Sequence, residues 1–155
     1  MKDFSFKEIL IGSKINKINR ACDLIMFSFE MLNGKKLFLH ITCFIRIFDS
    51  DNTLVICTQN LNNRSPNNKK KKYDWTEAGA TVFDDAIKDY QDKLMSTKVL
   101  NASFDYDDIK IIFENGMRMD VLVTTTKYDD PNYDEDYRIF DEDKSKKHYV
   151  IPQIK

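Results

Sequence analysis
Hydrophobic and polar positions alternate through most of this chain, and the alternation predicts strands before any other property is considered. Ile15 to Glu30, with the apolar run Leu24-Ile25-Met26-Phe27, predicts a long strand. Asn33-Gly34 follows as a hairpin turn, because that pair accepts the left-handed backbone a tight turn needs. From Lys36 to Phe48, Leu37, Leu39, Ile41, Cys43, Ile45 and Ile47 alternate with Phe38, His40, Thr42, Phe44, Arg46 and Phe48. Side chains two apart share a strand face, so the first set predicts a core face and the second a mixed face with polar tips. Asp49-Ser50-Asp51-Asn52 predicts a turn and Thr53 to Thr58 a further strand.

The period then changes. Residues 60–72, Asn-Leu-Asn-Asn-Arg-Ser-Pro-Asn-Asn-Lys-Lys-Lys-Lys, have no periodicity and predict a mobile polar loop. Phe83, Ala86, Ile87, Tyr90 and Leu94 recur at helical spacing and predict a helix over 81–96. Thr81 with Asp84 three residues on resembles a capping box, with Asp in place of Glu, and Asp84 and Asp85 favour a helix N-terminus. Val99 to Tyr106, Ile109 to Phe113 and Met117 to Thr124 predict three strands, the last two joined by an Asn115-Gly116 turn. Tyr137 to Phe140 and Lys147 to Ile151 predict two short closing strands. The expected fold is a single α+β domain over 1–155. It is a mainly antiparallel sheet of about six to eight strands with one main helix packed on one face.

Composition refines this picture. The 155 residues are 42% apolar, enough for a core in one domain, and that core is rich in Phe and Tyr. The net charge of −1 gives the whole molecule no strong preference for nucleic acid or a membrane surface. Cys22, Cys43 and Cys57 are odd in number and set in apolar runs, as expected of reduced thiols in a cytoplasm. The start, Met1-Lys2-Asp3-Phe4, does not read as a signal peptide, and the apolar runs are too short to span a bilayer.

Candidate chemistry is sparse. The glycines are scattered, so no phosphate-binding loop is expected, and no paired CxxC accompanies the two histidines to suggest zinc. His40 and His148 are the available bases for a catalytic serine, and neither lies in a recognisable serine motif. His40 sits mid-strand with Thr42 and Arg46, either as a general base or contact residue or as a half-buried histidine with its hydrogen bonds satisfied. These three and Trp75 form one candidate pocket. Trp75, after Tyr73-Asp74, is either a binding anchor or a packing residue. Arg46 and Arg138 each lie between apolar neighbours and call for carboxylate partners, with Asp74 and Asp84 as candidates. Lys69 to Lys72 reads as a solvated run rather than a nucleic-acid site, because no aromatic residues are interleaved.

The strongest local signal is acidic. From Tyr128 to Asp143 the carboxylates are Asp129, Asp130, Asp134, Glu135, Asp136, Asp141, Glu142 and Asp143, with Arg138 as the opposing charge and Tyr128, Tyr133 and Tyr137 among them. The spacing lacks the glycine and alternate-residue acids of a calcium loop, so no metal is expected. The two readings are a solvated loop and a protein-facing surface; for the second, Asp129, Asp130, Tyr133, Asp134, Glu135, Asp136, Asp141, Glu142 and Asp143 are the candidate partner contacts.

Taken together, the strand Leu37 to Ile47, Tyr73-Asp74-Trp75, Phe83-Asp84, the Asp107-to-Gly116 hairpin, Tyr137-Arg138-Ile139-Phe140 and His148-Tyr149-Val150 resemble small uncharacterised bacterial α+β domains. Some of those resemble immunity proteins of toxin systems. The resemblance runs over most of the chain and implies an immunity protein that neutralises a toxin. With the reduced cysteines and the acidic stretch, the expectation is a cytoplasmic, non-catalytic protein-binding domain without a cofactor, whose protein partner could be a basic toxin domain. The resemblance carries no catalytic residues with it. The alternatives are a small-ligand-binding or hydrolytic domain around His40, Thr42 and Arg46, and an oligomerising structural module.

Overall fold
The computed structural model describes residues 6–124, 135–143 and 148–151. After a short helix α1 (Phe6–Leu10), the chain forms β1 (Lys14–Ala21), β2 (Leu24–Glu30), β3 (Lys36–Ile41), β4 (Phe44–Phe48) and β5 (Leu54–Cys57). A 3₁₀ turn (Thr58–Asn62) and the main helix α2 (Val82–Met95) follow. Then come β6 (Val99–Asp105), β7 (Asp108–Phe113), β8 (Arg118–Leu122), β9 (Tyr137–Asp141) and β10 (Tyr149–Ile151).

The class is α+β and every strand pairing is antiparallel, but the strands make two sheets of five rather than one of six to eight. The first has the order β1-β2-β3-β9-β10, the second β5-β4-β8-β7-β6. Two of the expected single strands are each broken in two. The segment 15–30 turns back at Cys22-Asp23, with Cys22 in the left-handed region at φ 54°, so Ala21 pairs with Leu24. The segment 36–48 bends at Thr42-Cys43 and passes from the first sheet to the second.

The alternation survives that bend. Leu37, Leu39, Ile41, Cys43, Ile45 and Ile47 are all buried, the first three from one sheet and the last two from the other. Phe27, Phe29, Tyr137 and Ile139 join them from the first sheet, and Ile109, Ile111, Phe113, Met119 and Val121 from the second. The two aliphatic faces thus close on a shared core, which a single sheet could not cover. Each such side chain contributes about 1.5–3 kcal/mol by leaving water.

Helix α2 lies against β1 and β5, one edge strand of each sheet. Phe83 and Leu94 are its buried residues, and Ala86, Ile87 and Tyr90 pack beside them. The capping box is present: Thr81 Oγ1 accepts from Asp84 N, and Asp84 Oδ2 accepts from Thr81 N at 3.0 Å. The 60–72 segment, expected as a mobile polar loop, is tied to this helix start. Ser65 is buried, its amide donates to Ala80 O at 2.9 Å and its hydroxyl to Asp85 Oδ2 at 2.6 Å.

Asp84 is the partner of Arg20 on β1, not of Arg46 or Arg138. Arg20 donates to both Asp84 oxygens, at 2.8 and 2.7 Å, and to the carbonyls of Cys22, Trp75 and Glu77 at 2.9, 3.0 and 2.7 Å. Every N–H of the guanidinium is therefore used. The two side chains are 6% and 13% exposed. Burial pushes the Asp84 carboxyl upward, but the bonds from Arg20 and Thr81 outweigh it and hold the group below its ordinary value.

Arg20→Ala strands that carboxylate, so urea denaturation of the variant should show a loss of about 3–5 kcal/mol. The pH dependence follows from the lowered pKa. The contribution is complete above the unfolded value of about 3.9 and is lost as pH falls through the lower folded value. The variant's stability should accordingly fall less steeply in that acid range than that of the parent chain.

Candidate functional site
The bend at Thr42-Cys43 is held by the backbone of Asp136. Asp136 O accepts from Thr42 N at 2.9 Å and from Cys43 N at 3.1 Å, while Asp136 N donates to Ile151 O at 2.8 Å. The Asp136 side chain turns inward: Oδ1 accepts from Thr124 N at 3.1 Å and Thr124 Oγ1 at 2.9 Å. With 2% of its surface exposed, Asp136 is a structural clasp and not part of an acidic surface. Tyr137 is buried too. Its hydroxyl donates to Asp107 O at 2.8 Å, and burial, followed by the neighbouring Tyr149, drives its pKa upward. The acceptor lies in the β6–β7 turn, where Tyr106 and Asp107 both have positive φ, at 51° and 71°.

Arg138 and Phe140, the alternate side chains of β9, point away from the core. Arg138 pairs with His40 in register, and Phe140 with Phe38. Phe140 is the centre of a ring cluster: Phe38 stacks at 5.1 Å, His148 stacks at 4.6 Å, and His40 meets its edge at 4.8 Å. Arg138 is paired with Glu135 through both carboxylate oxygens and lies 3.1 Å from His148 Nδ1. A guanidinium can only donate, so Nδ1 is the acceptor in this contact. Burial, then the Arg138 charge, lowers the His40 pKa, so this ring is neutral near pH 7.

These residues enclose a cavity of about 330 Å³ on the outer face of the first sheet, lined also by Leu24, Thr42 and Tyr137. Of the expected pocket, His40 and Thr42 are brought together here. Arg46 and Trp75 are not. Trp75, 41% exposed, borders a second cavity of about 370 Å³ beside Thr42, Cys43 and Phe44. Arg46 belongs to the outer face of the second sheet, where Nη2 donates to Asp120 Oδ2 at 3.1 Å. Arg118, on β8 as Asp120 is, lies 3.2 Å from the other oxygen.

The acidic stretch divides. Asp129, Asp130, Tyr133 and Asp134, with Tyr128, lie outside the described residues. Glu135 is half-buried at the cavity, Asp141 is half-buried, and Glu142 and Asp143 are exposed at the far end of β9. Sequence reasoning missed Glu135 as the partner of Arg138, and it missed Phe140 and His148 as site residues. The alternation of β9 carried a signal for Phe140, since it shares a face with Arg138.

All three cysteines are thiols, with Cys22 exposed and Cys43 and Cys57 buried. Burial, then the Asp136 charge, pushes the Cys43 thiol up to about 12. Among the described residues no group of three or more His, Cys, Asp or Glu side chains is placed to hold a metal ion, and no helix is long and apolar enough to cross a membrane. No protein-family model matches the chain, no curated protein matches it, and no solved structure matches it.

Asp136→Ala removes the charged acceptor shared by Thr124 N and Thr124 Oγ1 and should cost about 1–3 kcal/mol in urea denaturation. Asp136→Asn keeps an acceptor at Oδ1 and should cost less. Iodoacetamide at pH 8 should alkylate Cys22 first, with Cys43 modified only as the protein unfolds, because the thiolate is the reactive form. Peptide mass mapping over time reads that order.

Proposed function
We propose that this chain is a non-catalytic protein-binding domain, working as a bacterial immunity protein that neutralises a toxin. The recognition surface in this reading is the outer face of the first sheet. One observation carries it, the make-up of β9. Its outward side chains set Arg138 and Phe140 among His40, Phe38 and His148, and the strand is flanked by Glu135 at one end and by Asp141, Glu142 and Asp143 at the other.

Aromatic and arginine side chains are favoured at the centres of protein interfaces, and charged groups at the rims. The half-buried rings of this cluster offer contact area with few torsions left to fix. Carboxylates on the rim suit a partner with a basic cleft, as a toxin acting on nucleic acid has. They would speed its capture and make association salt-dependent.

The cavity of about 330 Å³ favours a second reading, a small-ligand site. It would use His40 and Thr42 as first expected, with Arg138 and His148 in the place given to Arg46.

The deciding measurement is binding to, and protection against, the toxin encoded beside this gene. Phe140→Ala should weaken the complex by at least about 2 kcal/mol, roughly thirtyfold, through faster dissociation. The double change Glu142→Lys and Asp143→Lys should slow association and flatten its salt dependence. Unchanged rates in both variants would reject this surface.

A further inference from the structure
The second sheet has an outer face of different character. Phe48 and Arg46 stand on β4, Arg118 and Asp120 on β8, and the register sets Arg46 beside Asp120 and Phe48 beside Arg118. Both guanidiniums lie on the Phe48 ring, with the Arg46 carbon 5.4 Å and the Arg118 carbon 4.2 Å from its centre. Asp120 sits beneath them with a side chain 6% exposed, while the arginine side chains are 38% and 34% exposed. Two cations therefore share one carboxylate. Lys110, exposed on β7, is the cross-strand neighbour of Asp120 and adds positive charge.

The contrast with the other arginines is sharp. Arg20 has every donor used and a carboxylate of its own, and Arg138 has Glu135. Here a single hydrogen bond, Arg46 Nη2 to Asp120 Oδ2, serves both guanidiniums. Arg118 Nε is near Asp120 Oδ1 but out of line for a hydrogen bond, and the buried Arg46 Nε, Arg118 Nε and Asp120 Oδ1 all lack hydrogen-bond partners. A half-exposed arginine pair anchored over one buried carboxylate carries one net positive charge, and its planar forks match a planar or tetrahedral oxyanion. Phe48 and Asp120 hold the forks in place beforehand, which lowers the entropy cost of binding.

We propose that the outer face of the second sheet binds one oxyanion group, a carboxylate or a phosphate, between Arg46 and Arg118. The site is independent of the role assigned to the first sheet.

The probes are inorganic phosphate and succinate, titrated into the full chain at constant ionic strength. The readout is the NMR shift of the arginine Nε–H signals, assigned with Arg46→Lys and Arg118→Lys. Saturable shifts of both signals, with a dissociation constant on the order of 1 mM, are expected. Arg118→Gln should weaken binding at least tenfold, and Arg118→Lys, which keeps the charge and loses the fork, should weaken it while the rest of the spectrum stays folded. Lys88→Gln, on the exposed side of α2, should leave it unchanged. A response to phosphate alone assigns the site to phosphate groups; a response to both probes, or to succinate alone, assigns it to carboxylates. Unmoved Nε–H signals up to about 50 mM of either probe would overturn the proposal. So would affinity that Arg118→Lys and Arg118→Gln leave intact.

Discussion
Two amides at one bend, Thr42 N and Cys43 N, both donate to the carbonyl of Asp136, and the architecture depends on that shared acceptor. The bend is where a single run of alternating residues leaves one sheet and enters the other. The amide of buried Cys43, turned out of a ladder, would be costly without a partner. The same residue uses its own amide on Ile151 and its carboxylate on Thr124, so β10 and the end of β8 are tied to the bend as well. Because the clasp is one residue before β9, the registers of the first sheet and the position of the sheet-switching bend are set together.

The arginines illustrate how burial sorts charge. Arg20 is almost wholly removed from water and has a carboxylate and three carbonyls around it. Arg138 is half-exposed and paired with one nearby glutamate. Arg46 and Arg118 are equally half-exposed but divide one aspartate. The first arrangement fixes the helix start, the Trp75 loop and β1 relative to one another. The other two leave guanidiniums at the surface with fixed orientation. A desolvated ion pair needs complete hydrogen bonding to be tolerated, and Arg20 meets that condition.

Local order was well written in the sequence. The core face from Leu37 to Ile47, the Asn-Gly turns, the capping box and the helical face from Phe83 to Leu94 all depend on neighbours in the chain, and the structure has them. The division into two sheets was not legible, because an alternating pattern reads the same whether a strand runs straight or bends at Thr42-Cys43. Likewise Cys22-Asp23 has no glycine to mark its turn. Partners distant in sequence were hidden too. Arg20 and Asp84 are 64 residues apart, and Arg46 and Asp120 are 74 apart. Asp136 read as one acid among many, since nothing in its neighbours along the chain marks it for burial. His40 and Thr42 were placed on the right face, but the bend carries Arg46 of the same alternating set to the opposite side of the molecule.

The placement of β9 has a consequence for the order in which the chain acquires its structure. The turns from β1 to β3 and from β6 to β8 pair close neighbours in sequence, and local pairings of this kind form early. The outer edge of β3 must wait, because its partner begins at Tyr137, about a hundred residues later along the chain. During synthesis the ribosome delivers β4 to β8 before that edge is covered. The middle strand of the first sheet has, until then, one bare edge, and the arrival of β9 converts it from an aggregation hazard into an interior strand.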